Sequence, residues 1–219
     1  MSYSDLSNKS VSFKMAINPT TTKTFEQDSN AHFPIVGIGA SAGGLDAIKG
    51  FLHHVPRKSG MAFVVIQHLD PNYHGMLPEL LQHSTEMKVV QADNCMKVYP
   101  DCVYVIPPNK DISISKGIIF LKNVDKVGGL HLPINSFFCS LAEDQRDHSV
   151  GVILSGMGSD GALGLHAIKE KSGITAAQNP ETANFDSMPR AAIATGLIDV
   201  LAPVEELPEK LVQYLQHIQ

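Results

Sequence analysis

The sequence lacks the features that mark secreted, membrane-spanning or nucleic-acid-binding proteins. It has three cysteines, an odd number without metal-like spacing, so we expect reduced thiols. No apolar run approaches the roughly 18 residues that span a bilayer. The formal net charge is −5, and no basic stripe suggests nucleic-acid binding. The N-terminus has no signal-peptide core, and we expect a cytoplasmic protein.

Composition and length predict one substantial folded domain with a tail. Hydrophobic residues make up 43% and charged residues 18% of the 219 positions, as in ordinary globular proteins. Residues 1–32 are rich in Ser, Thr, Asn and Lys and have few apolar anchors, which predicts a polar tail or linker. The folded domain is expected to cover residues 33–219.

Short apolar strands alternate with amphipathic helices along this domain. We predict strands over 35–38, 61–66, 89–92, 103–106, 150–154, 174–177 and 198–201, and helices over 43–53, 77–83, 134–142, 162–171, 189–195 and 208–218. A hairpin is predicted over 112–115 and 118–122. This alternation indicates an α/β fold with a doubly wound, mostly parallel sheet, helices on both faces and an antiparallel hairpin at one edge.

The most informative motif is a glycine-rich turn after the first predicted strand. Residues 39–43 fit the G-x-S-x-G pattern between a strand and a helix. Small neighbours allow a sharp reversal that exposes the hydroxyl of Ser41, and the following helix directs unpaired N–H groups to the same place. Ser41 is therefore a candidate nucleophile.

Two other interpretations of this turn remain open. Residues 37–42 also fit the dinucleotide fingerprint G-x-G-x-x-G/A, and Ser41 also suits a helix cap. A dinucleotide site needs an acidic residue about 20 positions later, at the end of the next strand. That strand ends in Gln67 and His68 and Asp70 follows late, which weakens the nucleotide interpretation.

A histidine and an aspartate follow two other predicted strands. His68 ends the second strand, which a right-handed crossover commonly places beside the first, and a neutral imidazole is the usual activator of a serine hydroxyl. Asp160 lies in a glycine-rich turn, where a carboxylate can orient that imidazole. Taken singly, His68 is more often structural and Asp160 more often a helix cap. Their convergence on Ser41 is the hypothesis.

The order Ser41, His68, Asp160 differs from the Ser, Asp, His order of α/β-hydrolases. It argues against the ordinary lipase fold, but a triad is recognised by geometry rather than order. Glycines 156, 158 and 161 allow close backbone approach, so the N–H of Met157 is a candidate oxyanion donor.

Taken together, these motifs resemble those of the catalytic domain of bacterial chemotaxis protein-glutamate methylesterases of the CheB type. The resemblance is carried by GIGASAGG (37–44), QH (67–68), GMGSDG (156–161), YVIPP (104–108), AQN (177–179) and MPR (188–190). It implies Ser41 as nucleophile, His68 as base and Asp160 as orienting acid, with oxyanion support from the backbone at Ala42 and Met157. The family fold, a doubly wound α/β sheet, agrees with the pattern above.

Two departures from the stand-alone regulators of that family are visible. Those regulators usually have Thr after the nucleophile, where this chain has Ala42, so no hydroxyl acts from that position. They also carry a receiver domain, for which residues 1–32 are too short. Phe33, Pro34 and the segment 132–134 look more like methylesterase domains fused to receptor methyltransferases. The sequence leaves open whether this chain stands alone or comes from such a fusion.

The expected function is hydrolysis of glutamate γ-methyl esters on a chemoreceptor-like protein, with release of methanol. The resemblance also implies glutamine deamidation, a methyltransferase domain as a partner, and no metal or cofactor. The second hypothesis is a nucleotide-binding α/β domain that uses the loop at residues 37–44.

Overall fold

The computed structural model describes residues 33–67, 76–124 and 131–218. All three ranges belong to one compact unit, His32–Gln219. The predicted tail at residues 1–32 and the candidate base His68 lie outside the described residues.

Seven strands form a sheet in which every pair is parallel. The order is β10-β9-β8-β1-β2-β5-β3. The strands are β1 (Ile35–Ala40), β2 (Ala62–Gln67), β3 (Lys88–Gln91), β5 (Cys102–Val105), β8 (Ser149–Ile153), β9 (Ile174–Gln178) and β10 (Val200–Ala202). The central strands β1, β8 and β9 are buried along their whole length, as expected of a sheet covered on both faces.

Within the described ranges, six α-helices cover the two faces of this sheet. They are α1 (Gly44–His53), α2 (Leu77–Gln82), α3 (Pro133–Gln145), α4 (Ala162–Glu170), α5 (Ser187–Ala194) and α6 (Leu207–Ile218). Apolar side chains of α1, α2 and α6 pack in one core, and those of α3, α4 and α5 pack in the other. The doubly wound α/β fold is therefore confirmed. No helix among the described residues is both long and apolar enough to cross a membrane.

The predicted hairpin is present and belongs to a second, small sheet. Strands β6 (Lys110–Ser115) and β7 (Ile118–Asn123) pair antiparallel, and the two-residue strand β4 (Met96–Lys97) pairs with β7. The buried side chains of this small sheet join the core around α3. The hairpin is thus held by packing on a helix rather than by hydrogen bonds to the large sheet.

Glycines of the sheet and of α4 face helix α3 and leave room for its side chains. A Cβ on Gly37 of β1 would lie 2.8 Å from Cε1 of Phe138, and one on Gly151 of β8 would lie 3.2 Å from Cε2 of the same ring. A Cβ on Gly164 of α4 would lie 2.5 Å from the Cβ of Phe138. The three glycines make room for one aromatic side chain, which is completely buried.

Strands β1 and β8 mark the point at which the order of the sheet reverses. From β1 the chain proceeds to β2 on one side, and β8, β9 and β10 fill the other side. In open α/β sheets, the crevice outside the carboxyl ends of such strands is where ligands bind. The loops after β1 and β8, which carry Ser41 and Asp160, leave the sheet at this point.

Candidate active site

The serine turn is a tight reversal between β1 and α1. The N–H of Gly44 donates to the carbonyl of Ser41 at 2.8 Å, and Gly43 adopts a left-handed conformation with φ of 67°. Gly43 is the N-cap of α1, and no side chain caps this helix. The helix-cap interpretation of Ser41 is therefore wrong, and the partly exposed Ser41 precedes the helix by three residues.

Ser155, which follows β8, holds the serine turn from the side. Its carbonyl accepts the N–H of Ser41 at 3.1 Å, and its hydroxyl donates to the carbonyl of Ala42 at 3.1 Å. The same hydroxyl accepts the N–H of Phe185 at 3.0 Å. The backbone N–H of Ser155 donates to the buried Oε1 of Gln178 at 2.9 Å. The turn is thus joined to the end of β8 and, through Gln178, to the end of β9.

Several backbone N–H groups at this edge, those of Ala42 and Met157 among them, have no acceptor among the described residues. The N–H of Ser41 is used by Ser155, and the N–H of Gly156 donates to the carbonyl of Phe185 at 2.9 Å. Within the described parts of the chain, Ala42 and Met157 donate no backbone hydrogen bond. These are the two donors that the resemblance implies for an oxyanion site. The side chain of Met157 itself is 61% exposed.

Asp160 is buried, with 4% of its surface exposed, and lies against the N-terminus of α3. Its Oδ2 accepts the N–H of Ile134 and its Oδ1 accepts the N–H of Asn135, both at 3.0 Å. Asp160 does not cap α4, the helix that follows it. It caps a helix 25 residues earlier by accepting two of the N–H groups left unpaired at the start of that helix.

Asn135 makes the reciprocal contact, from α3 to the start of α4. Its Oδ1 accepts the N–H groups of Gly161 at 3.0 Å and of Gly164 at 2.8 Å. The N-cap of α4 is Gly161, which has no side chain to perform this task. Helix α4 is therefore capped by a side chain of α3, and α3 is capped by a side chain from the turn that leads into α4.

The glycines of the dinucleotide-like motif face helix α3 rather than a groove. A Cβ on Gly39 would lie 2.5 Å from Cγ2 of Ile134, and Gly37 faces the rings of Phe137 and Phe138. In a dinucleotide site these glycines admit the pyrophosphate. Here apolar side chains occupy that space, which disfavours the nucleotide interpretation.

The structure thus brings Ser41, Ala42, Met157 and Asp160 to one edge of the sheet. No group of three or more His, Cys, Asp or Glu residues able to hold a metal occurs in the described ranges. The sequence analysis assigned no role to the supporting residues Ser155, Gln178 and Asn135, although Gln178 lies in the AQN motif. The position of Ser155 and Gln178 in or beside strand ends was a further sequence signal.

Comparison with known proteins places the chain in a family. A family model described as CheB methylesterase matches residues 36–211. The chain belongs to the CheB methylesterase family. The resemblance inferred from the motifs is confirmed by this match.

Individual relatives agree with the assignment to the CheB methylesterase family. A putative protein-glutamate methylesterase/protein-glutamine glutaminase of Leptospira interrogans is 32% identical over 187 residues, covering 85% of this chain and 97% of that protein. Protein-glutamate methylesterase/protein-glutamine glutaminase 1 of Syntrophomonas wolfei is 35% identical over 189 residues, covering 83% of this chain and 54% of that protein. This CheB-family chain therefore spans about half the length of some relatives and nearly all of another.

A solved structure shows the same architecture. The crystal structure of the Thermotoga maritima CheB methylesterase catalytic domain matches with a TM-score of 0.75 at 29% identity, covering 83% of this chain and 98% of that one. The fold class is confirmed by this match. The roles of Ser41, His68 and Asp160 remain predictions.

Proposed function

We propose that this CheB-family chain hydrolyses glutamate γ-methyl esters on a methylated chemoreceptor-like protein and releases methanol. The observation that carries the proposal is the presentation of Ser41 at the switch between β1 and β8, with the N–H groups of Ala42 and Met157 left without an acceptor among the described residues. The relatives named protein-glutamate methylesterase support the same activity.

The proposed chemistry is a two-step acyl transfer. His68 takes the hydroxyl proton of Ser41 as the Oγ of Ser41 attacks the ester carbonyl. His68 then gives that proton to the departing methanol. Water cleaves the resulting acyl-serine, which restores the serine and leaves a glutamate carboxylate. Asp160 orients His68 and stabilises the imidazolium.

Chain connectivity supports the part given to His68. The register pairs Ala40 with Gln67, so Ser41 and His68 directly follow residues that lie side by side.

The N–H groups of Ala42 and Met157 are the proposed oxyanion donors. Both are unused among the described residues, and Ala42 is adjacent to the nucleophile. The loss of one such donor typically costs about 3–4 kcal/mol of transition-state stabilisation. The N–H of Ser41 is unsuitable for this task because it donates to Ser155.

The same site is proposed to deamidate glutamine, as the glutaminase part of the relatives' names suggests. Ammonia would replace methanol as the leaving group, with the same acyl-serine intermediate.

Cys95, Cys102 and Cys139 are all free, which fits the proposed cytoplasmic location. We further propose that a methyltransferase domain or protein supplies the methylated substrate.

Replacement of the nucleophile tests the proposal. The Ser41→Ala chain is expected to release no methanol from methylated receptor membranes above background, because no other hydroxyl occupies its place. Its circular dichroism and thermal unfolding should match the parent. Ser115→Ala, an exposed serine of the small sheet, is the matched control and should retain full activity.

A fluorophosphonate probe and a nucleotide titration separate the two hypotheses. The proposal predicts a covalent adduct at Ser41 in the parent and none in Ser41→Ala. Methanol release that persists in the Ser41→Ala chain would overturn the mechanism. Saturable binding of NAD or ATP by calorimetry, without an adduct, would favour the nucleotide-binding alternative.

A further inference from the structure

The N-termini of α3 and α4 meet around Asp160 in a closed set of four hydrogen bonds. Two of them run from the backbone of α3 to the Asp160 carboxylate, and two run from the backbone near the start of α4 to Asn135. Asp160 is 4% and Asn135 9% exposed, so water cannot readily replace a lost acceptor. Neither helix has a capping side chain of its own.

The same turn of α3 also contacts the strand that leads to the nucleophile. The side chain of Ile134 is fully buried and packs against Gly39, two residues before Ser41, and against Gly161. The N–H of Ile134 donates to Asp160. The first turn of α3 therefore lies between the end of β1 and the loop that carries Asp160.

We propose that Asn135 is a positioning residue for the Asp160 carboxylate. The inference rests on the proposed function, because it assumes that Asp160 orients the base. The side-chain oxygen of Asn135 accepts the N–H of Gly161, the residue next to Asp160. The backbone N–H of Asn135 donates to the Asp160 carboxylate. Its side chain thereby sets where Asp160 lies relative to Ser41 without touching the substrate.

A neutral amide suits this position better than other side chains. An apolar side chain would leave two buried N–H groups without an acceptor, which is costly. A carboxylate would offer the same acceptor geometry but add a second negative charge close to Asp160. Asn135→Ala and Asn135→Asp therefore separate the loss of the acceptor from the change of charge.

The test compares these variants with a control on the same helix. Ser140 accepts the N–H of Ile114 in the small sheet at 3.2 Å and donates to the carbonyl of Phe137 at 2.8 Å, so Ser140→Ala removes two hydrogen bonds of α3 away from Asp160. The rate of fluorophosphonate labelling at Ser41, and kcat and KM for methanol release, are measured at pH 8 on protein shown to be folded by circular dichroism.

Asn135→Ala is expected to lower kcat and the labelling rate by about 10- to 100-fold, with KM within about twofold, because misplacement of a catalytic group by about 1 Å has such an effect. Asn135→Asp should recover part of the lost rate, because it restores the acceptor but adds a negative charge close to Asp160, and Ser140→Ala should stay within about twofold of the parent. If Asn135→Ala fails to fold, Asn135→Ser, which keeps a shorter acceptor, replaces it with the same expected direction.

Two results would overturn the inference alone, given a reactive parent. They are a folded Asn135→Ala chain that labels at the parental rate, and an equal loss in Ser140→Ala. A parent that neither labels nor releases methanol would overturn the proposed function, and this inference with it.

Discussion

At the scale of single residues, the serine turn depends on Gly43. Its φ of 67° is a left-handed conformation that side chains other than glycine rarely adopt. A Cβ there would also lie 2.9 Å from Cδ2 of Phe185 and 3.0 Å from Oγ of Ser155. The turn therefore needs glycine both for its backbone conformation and for the approach of the neighbouring loops.

Gly43→Ala is expected to lower the free energy of unfolding by about 2–5 kcal/mol, the sum of left-handed strain and overpacking. Gly117→Ala is the matched control, because Gly117 has the same φ of 67° but nothing within 4 Å of its added Cβ. It should lose only about 1–2 kcal/mol. Urea denaturation measures both, and equal losses would show that the contacts with Phe185 and Ser155 are unimportant.

Asp160 and Asn135 cap helices in a way that local sequence rules do not predict. A carboxylate just before a helix is ordinarily read as the cap of that helix, yet Asp160 caps α3 and Asn135 serves α4. The partners are 25 or more residues apart, so no local pattern reveals them. Asp160 was identified as a candidate site residue from its motif, whereas Asn135 carried no signal that sequence reasoning could use.

At the scale of elements, α3 connects the candidate site with the small sheet. Its first turn holds Asp160, its middle packs on the glycines of β1 and β8, and Ser140 further along contacts β6. The packing of Phe138 is the central contact, because glycines on β1, β8 and α4 leave space for its ring.

Phe138→Ala is expected to lower the free energy of unfolding by about 3–5 kcal/mol, since the glycines around it offer no side chain to fill the cavity. Phe120 on β7 is 39% exposed and provides the control. Phe120→Ala should lose less than about 1 kcal/mol. Chemical denaturation of both variants checks this, and a small loss in Phe138→Ala would mean that α3 can settle onto the sheet without the ring.

The elements themselves were largely predictable from periodicity. Every strand of the large sheet and all six helices overlap a predicted segment, with boundaries differing by a few residues. Strand β4 was missed because two residues carry no period, and it exists through its pairing with β7. The small sheet was seen only as a hairpin for the same reason.

At the scale of the whole molecule, Tyr104 links unfolding to pH. Its hydroxyl accepts the N–H of Tyr99 at 2.8 Å, and burial raises the pKa of the phenol well above its ordinary value of about 10. The pKa of Tyr104 is higher in the folded chain than in the unfolded chain. The stability that the protonated Tyr104 side chain contributes is therefore complete below about pH 10. It is lost as pH rises toward the folded pKa, since only the unfolded chain ionises readily there.

Tyr104→Phe is expected to reduce the fall in stability above pH 10 by up to about 1.4 kcal/mol per pH unit, because one ionisation is removed. At neutral pH the variant should be less stable by about 1–3 kcal/mol, since the N–H of Tyr99 loses its acceptor. Urea unfolding between pH 8 and 11 measures both effects.

Tyr99 provides the comparison for this experiment. It is 55% exposed, and Tyr99→Phe keeps the backbone N–H that Tyr104 accepts. Its alkaline stability curve should follow that of the parent. A Tyr104→Phe curve as steep as the parent would show that other groups cause the alkaline loss of stability.

The sequence alone determined the α/β class, the glycine turn around Ser41, the candidate status of His68 and Asp160, and the resemblance to the CheB family, because these depend on short patterns with local physical causes. Only the tertiary structure decided the strand order, the contact of Ser155 with the serine turn, and the exchange of caps between α3 and α4. Such contacts join residues far apart in the chain, so they exist only once the sheet has brought its strand ends together.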